Sequence, residues 1–341
     1  MADGPARAVR RPELWRRGWA AAAVSVALLA GLLWWTGPGA LEVLAPGRWL
    51  WWPVAGYVLA QLLGGVLRAW RFALLLRADR RTPTPGFAFL WWVTLARNML
   101  VDLVPARAGE LAYVLFLNRG PRVSLPACFS SLGLSLVFDI LALLLLALLL
   151  LAGAPAANLP WGALLVAALL TGLAWAVYLG ARHPARWLAR RAERSPAPWR
   201  ARVWRGLSET FASLARIRAA GVFWPVLGLS LGLRGVKYGG LYLLFLAVTW
   251  HDWPAFAGAE LWQVLTAFVA AEAAASLPVP AFMSFGTYEA GALGAWVALG
   301  FPAATAMGVM FAVHLISQAV DYTLGAAGLG GILWSGRRSR R

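Results

Sequence analysis

The sequence predicts an all-α integral membrane protein with six full spans and two re-entrant helical hairpins, arranged as two inverted repeats. Three observations predict it. Hydrophobic residues make up 61% of the 341 and charged residues only 13%, more apolar surface than a soluble fold can hide. The formal charge of +17 is almost wholly arginine and falls in short segments between apolar runs, as the positive-inside rule asks of cytoplasmic loops. Two apolar stretches, 98–110 and 272–289, each hold carboxylates together with proline and glycine. Charges and broken helices persist at membrane depth where they face protein or a water-filled cavity.

Taken in order, the chain opens with Arg7, Arg10, Arg11, Arg16 and Arg17 ahead of an apolar run from Trp19 to Trp35. No small-x-small cleavage site follows, so the run reads as a retained first span starting in the cytoplasm. Residues 37–48, with Pro38, Gly39 and Pro46, form an outside loop. The second span, 50–76, returns to Arg77, Arg80 and Arg81. Arg68 and Arg71 lie inside it on one face, either snorkelling to headgroups or serving a buried site. Residues 87–103 are apolar apart from Thr94, Arg97, Asn98 and Asp102; Pro105–Gly109 break the run, and 110–117 form a short second arm before Asn118, Arg119 and Arg122. At about 1.5 Å per residue the first arm reaches roughly 25 Å deep and the second about 12 Å. Residues 87–119 therefore read as a re-entrant hairpin open to the cytoplasm, with an ordinary hairpin and interfacial turn as the alternative. The third span, 126–152, carries Asp139 and ends at the chargeless outside loop 153–160.

The fourth span is 161–180. Segment 181–221 carries ten arginines and marks the cytoplasmic side; its parts 187–192 and 203–217 are amphipathic and are expected along the membrane surface. The fifth span, 223–248, holds Arg234 and Lys237, the only lysine, again on one face. Residues 249–258, with His251 and Asp252, lie outside. Residues 260–300 begin and end outside as a second re-entrant hairpin: 261–277 with Glu272, then Pro278 and Pro280, a turn at 284–289, and a second arm 290–299. The last span, 303–333, carries His314, Gln318 and Asp321 and ends in the basic tail Arg337, Arg338, Arg340 and Arg341. Both termini are thus expected in the cytoplasm.

Residues 1–155 and 156–341 match as halves of opposite orientation, each with two spans, a cation pair, a hairpin with glycine and glutamate at its tip, and a closing span. Glu110 to Asp139 and Glu289 to Gln318 have the same spacing. Paired broken segments in inverted halves point to a transporter site near the midplane. Helix N-termini at Gly109–Glu110 and at Gly286–Glu289 are expected to present free N–H groups. Arg68, Arg71, Arg107, Arg234 and Lys237 supply positive charge suited to an anion such as phosphate, which arginine can bind bidentately. Asp102, Glu110, Glu272 and Glu289 would hold the arginines when the site is empty, or exchange protons; alternatively the charges only pair with one another to knit the bundle. The candidate substrate-binding set also takes in Arg97, Asn98, Asp139, Tyr288 and His314.

Other chemistries find little support. The basic residues sit between apolar segments rather than on a separate domain, against nucleic acid. His183, His251 and His314 have no metal-ligand spacing, and Cys128 is the only cysteine, so neither a metal, a cofactor nor an intrachain disulfide is expected.

Asn98, Pro105, Arg107, Gly109 and Glu110, with Pro278, Pro280, Gly286 and Glu289, resemble the two motifs of the flippase-like family that includes the transmembrane domain of lysylphosphatidylglycerol synthases. Arg68 and Arg71 resemble that family's arginines before the first hairpin. Tyr113 and Tyr288 stand where an arginine is common near each glutamate, and Ser284 replaces a turn glycine. The resemblance covers nearly the whole chain. It implies movement of an anionic or phosphate-bearing lipid or lipid-linked molecule between leaflets of a bacterial cytoplasmic membrane. No soluble aminoacyl-transfer domain follows the last helix, so no synthase activity is expected. Two other readings remain: a membrane-embedded enzyme acting on a lipid phosphate with Glu110 or Glu289 as base, and a non-catalytic partner of a lipid-modifying enzyme. The first lacks a visible nucleophile–base pair, metal cluster or nucleotide loop.

Overall fold

The computed structural model describes residues 11–44, 49–79, 84–103, 109–152, 172, 180, 182–250, 256, 258–277, 279 and 281–338. Outside them lie Arg7, Arg10, Arg80, Arg81, Pro105, Arg107, the loop 153–160, most of the fourth span, His251, Asp252, Pro278, Pro280, Arg340 and Arg341. Every regular element among the described residues is helical. In chain order these are α1 (Arg11–Thr36), α2 (Trp51–Ala78), α3 (Phe87–Leu103), α4 (Glu110–Arg119), α5 (Leu125–Ala152), α6 (Arg182–Glu193), α7 (Pro198–Ala219), α8 (Phe223–Thr249), α9 (Leu261–Ala275), α10 (Thr287–Ala298) and α11 (Ala303–Arg338). Five of them, α1, α2, α5, α8 and α11, are long and apolar enough to cross a membrane. A 3₁₀ helix, Pro38–Leu44, occupies most of the loop expected at 37–48.

Two compact units are present, one of 1–50, 100–109 and 245–318, the other of 51–99, 110–244 and 319–341. In the second and larger unit, Phe72, Leu75 and Leu76 of α2 share a buried core with Tyr113 and Leu117 of α4, Cys128 of α5, Leu214 and Ile217 of α7, and Val226 of α8. Tyr113 stacks on Phe72 with ring centroids 4.2 Å apart and bonds Ser131 at 3.0 Å, locking the short α4 between α2 and α5. Phe89, near the start of α3, lies against Gly120, just past α4. On its other side α3 is approached closely by α11: a Cβ at Gly328 would fall 2.7 Å from the Ala96 backbone nitrogen. Only a glycine lets the helices come this close, the small-residue packing that membrane helices use in place of hydrophobic collapse.

Helices α6 and α7 pair with each other, tied by the Ser208 hydroxyl donating to the Ala185 carbonyl at 2.8 Å. Pro198 starts α7, where its missing N–H is harmless. Both helices run longer than the amphipathic pieces expected at 187–192 and 203–217. Asp79, just past α2, fastens α7 by accepting from Ser213 at 3.0 Å and from Arg216 Nε at 2.9 Å.

In the first unit, α9 packs against α10. A capping box starts α9: the Glu260 N–H donates to the Gln263 side chain at 2.8 Å. The turn before α10 passes through left-handed backbone at Met283, Ser284 and Gly286, with φ of 55°, 59° and 89°. Ser25 of α1 holds it, accepting from the Phe282 N–H at 2.7 Å and donating to its carbonyl at 3.2 Å. Buried Trp296 packs among Phe245, Phe256 and Phe301.

Candidate functional site

The larger unit brings seven of the expected polar residues into two hydrogen-bonded groups. Arg71 is buried and forms a bidentate pair with Asp139 across α2 and α5, at 2.7 Å (Nη1–Oδ1) and 3.0 Å (Nη2–Oδ2). Its Nη2 also reaches Ser135 and its Nη1 reaches Ser230 at 2.8 Å, while Nε has no partner among the described residues. Arg234 of α8 donates to the Asp139 backbone carbonyl at 3.3 Å. Arg71 is therefore a tie between α2, α5 and α8. Such a buried pair resists loss of either partner, because an uncompensated charge would stay behind.

One turn earlier on α2, Arg68 is half-buried and turns the other way, donating to the Asn98 carbonyl oxygen on α3. Arg97 donates weakly to the same oxygen at 3.5 Å and pairs with Glu110, the first residue of α4, through Nε at 2.7 Å. Of the four guanidinium groups, Arg71 and Arg97 pair with the carboxylates of Asp139 and Glu110, while Arg68 donates to the Asn98 amide and Arg234 to a backbone carbonyl. Arg68 is held by the side-chain amide of Asn98. A half-buried arginine fork is a group that can bind an oxyanion bidentately.

The first unit holds Glu289, together with Asp102 and Glu272. Glu289 is fully buried; one oxygen accepts the Gly286 N–H at 2.7 Å and the other lies 2.6 Å from His314 Nδ1. His314 Nε2 lies 3.0 Å from the Gln318 amide one turn on, so carboxylate, imidazole and amide form a chain. Tyr288 stacks on His314 with centroids 4.3 Å apart, and Phe285 covers it at 4.5 Å. Here the expectation of Glu289 holding an arginine is corrected: it holds His314. The free N–H expected at Gly286 is likewise taken, because a glutamate in the third position of a helix folds back onto the N-terminal N–H. For the same reason α10 begins at Thr287 rather than at 290.

A family model described as the lysylphosphatidylglycerol synthase TM region matches residues 21–325. The chain belongs to this family. Neither the curated proteins nor the solved structures gave a match. As a member of the lysylphosphatidylglycerol synthase transmembrane family, the protein is a multi-pass membrane protein of a group linked to lipid handling.

Within that family frame, Asn98 and Glu110 of the first motif join Arg68 and Arg97, while buried Gly109 sits in the turn before α4. Arg107 lies outside the described residues. Asp102, half-buried near the end of α3, and Glu272, half-buried on α9, belong to the first unit. Lys237 is exposed on α8, whereas Arg234 is turned toward Asp139. Tyr113 and Tyr288 are both stacked, on Phe72 and on His314. Sequence reasoning missed Ser135 and Ser230 as partners of Arg71, and Gln61, which donates to Asp321 at 2.6 Å. A signal was present: Ser135 and Ser230 each lie four residues before Asp139 and Arg234, on the same helix faces.

Proposed function

We propose that the protein moves an anionic, phosphate-bearing lipid or lipid-linked molecule between membrane leaflets, with the headgroup held at the arginine set of α2, α3 and α8. The carrying observation is Arg68, half-buried within a membrane helix and held by the Asn98 amide oxygen. An arginine so placed keeps its charge available to an incoming phosphate, whereas the neighbouring Arg71 is committed to Asp139. The family description, which names the membrane region of a lipid synthase, supports lipid handling. In this reading 161–180 is a sixth span, the segments 87–119 and 260–300 are re-entrant hairpins of two inverted repeats, and both termini face the cytoplasm of a bacterial cell. The protein acts as a translocator and not as an enzyme.

The test is reconstitution into liposomes with headgroup-labelled anionic and zwitterionic lipids, reading the fraction exchanged between leaflets. Wild-type protein is expected to speed exchange of the anionic lipid. Arg68→Gln should lose roughly tenfold or more, the worth of a charge-assisted hydrogen bond. Folded wild-type protein that leaves exchange at the protein-free rate would overturn translocation. The role of a lipid-binding partner for a lipid-modifying enzyme would then take its place.

A further inference from the structure

The α6–α7 pair carries a second concentration of positive charge, on helices other than those of the arginine set. Arg190 and Arg191 at the end of α6, Arg194 just past it and Arg200 at the start of α7 line a cavity of about 600 Å³. This is within the range of pockets that take a small ligand. Trp187, Trp199 and Trp204 complete its walls. The four arginines are exposed and, among the described residues, none is in an ion pair. Arg191 lies over the Trp187 ring at 4.8 Å and Arg200 over the Trp199 ring at 5.2 Å. Stacking on an aromatic face orients a guanidinium while leaving its N–H edge free to bind oxygen anions.

What covers this surface follows from α7 itself. Trp199, Val203 and Leu207 recur every four residues, and by helical periodicity they share the face of Leu214 and Ile217. At the C-terminal end that face is buried in the core formed with α2, α5 and α8, all three long enough to span a membrane. Toward the N-terminus the same face continues uncovered, with Trp199 62%, Val203 51% and Leu207 42% exposed. An apolar stripe with tryptophan, flanked by arginines and continuous with the packed ends of spans, fits a helix lying in the headgroup plane.

We propose that the α6–α7 cavity is a second lipid site, which holds the phosphate of an anionic phospholipid from the leaflet against which this helix pair lies. The arginine forks take the phosphate oxygens, and Trp199, Val203 and Leu207 enter the boundary with the acyl chains. The site shares no residue with the proposed translocation site.

Native mass spectrometry of the full chain in detergent, with phosphatidylglycerol and phosphatidylcholine as probes, tests this. The arginines are exposed, so Arg190→Gln, Arg194→Gln and Arg200→Gln can be combined without disturbing the core. Each is expected to weaken phosphatidylglycerol retention about fivefold, as for a basic residue near an anionic surface, and the triple variant about a hundredfold. Phosphatidylcholine retention should not change. The loss should be the same in wild-type and Arg68→Gln backgrounds, which separates this site from the arginine set of α2 and α3. Trp199→Ser should weaken phosphatidylglycerol retention while leaving all four arginines in place. Undiminished phosphatidylglycerol retention by the triple variant would overturn the proposal. So would its displacement by millimolar inorganic phosphate, which would make the cavity a free-anion site.

Discussion

Arg68 and Arg71 stand one turn apart on the same helix and do different work. Three residues turn a helix by about 300°, so two such side chains diverge by about 60° and can enter different crevices. Arg71 goes to Asp139, Ser135 and Ser230, and Arg68 to Asn98. Removing a partner from the first leaves a buried charge, whereas removing Arg68 leaves an amide that Arg97 already touches. Asp139→Leu is therefore expected to destabilise the folded protein by about 3–5 kcal/mol. Arg68→Gln should unfold at the wild-type temperature and lose only lipid movement. Thermal unfolding in detergent beside the liposome assay reads both, and equal melting losses for the two variants would make Arg68 structural as well. Glu289 calls for a similar pairing of variants. Glu289→Gln keeps an oxygen for the Gly286 N–H, while Glu289→Leu strands both that N–H and His314. If the carboxylate serves transport, the first variant should stay folded yet stop lipid movement; the second should also melt earlier.

At the scale of elements, two broken segments are held by different devices. The turn into α10 depends on left-handed backbone at Gly286, φ 89°, and on Ser25 reaching from α1. Gly286→Ala should lower the melting temperature, because a Cβ is strained at that φ and would also meet Leu28. In the segment 87–119, α3 is packed by α11. Gly328→Val would drive a branched side chain into the α3 backbone, an overpacking cost of typically 1–3 kcal/mol. A substitution at Gly330, where a Cβ meets nothing within 4 Å, should be nearly silent in the same melting experiment. Equal effects at 328 and 330 would mean that the helix contact is not what the glycine serves.

For the whole molecule, topology is the property that every part of the functional reading shares. In a Cys128→Ser background, a cysteine placed at Ser195, in the arginine-rich segment, is expected to react only with reagents that reach the cytoplasm. One placed at Ala157 should react from outside intact cells. Labelling of position 195 from outside would invert the arrangement. The amino-acid sequence by itself determined that the chain is a helical membrane protein, because apolar content and arginine spacing are properties of composition and order that solvent and bilayer read directly. It also determined where α3 stops and α4 starts, since proline and glycine act on their own backbone whatever surrounds them. Which charge meets which was decided only by tertiary structure. Helical spacing sets Arg234 and Lys237 on one face, but the position of α5 turns one toward Asp139 and leaves the other exposed. The match between Glu110 and Glu289 in spacing concealed different partners, Arg97 for one and His314 for the other. A side chain's partner comes from another helix, and the rotation and depth of that helix are settled by packing over the whole unit, which no local pattern encodes.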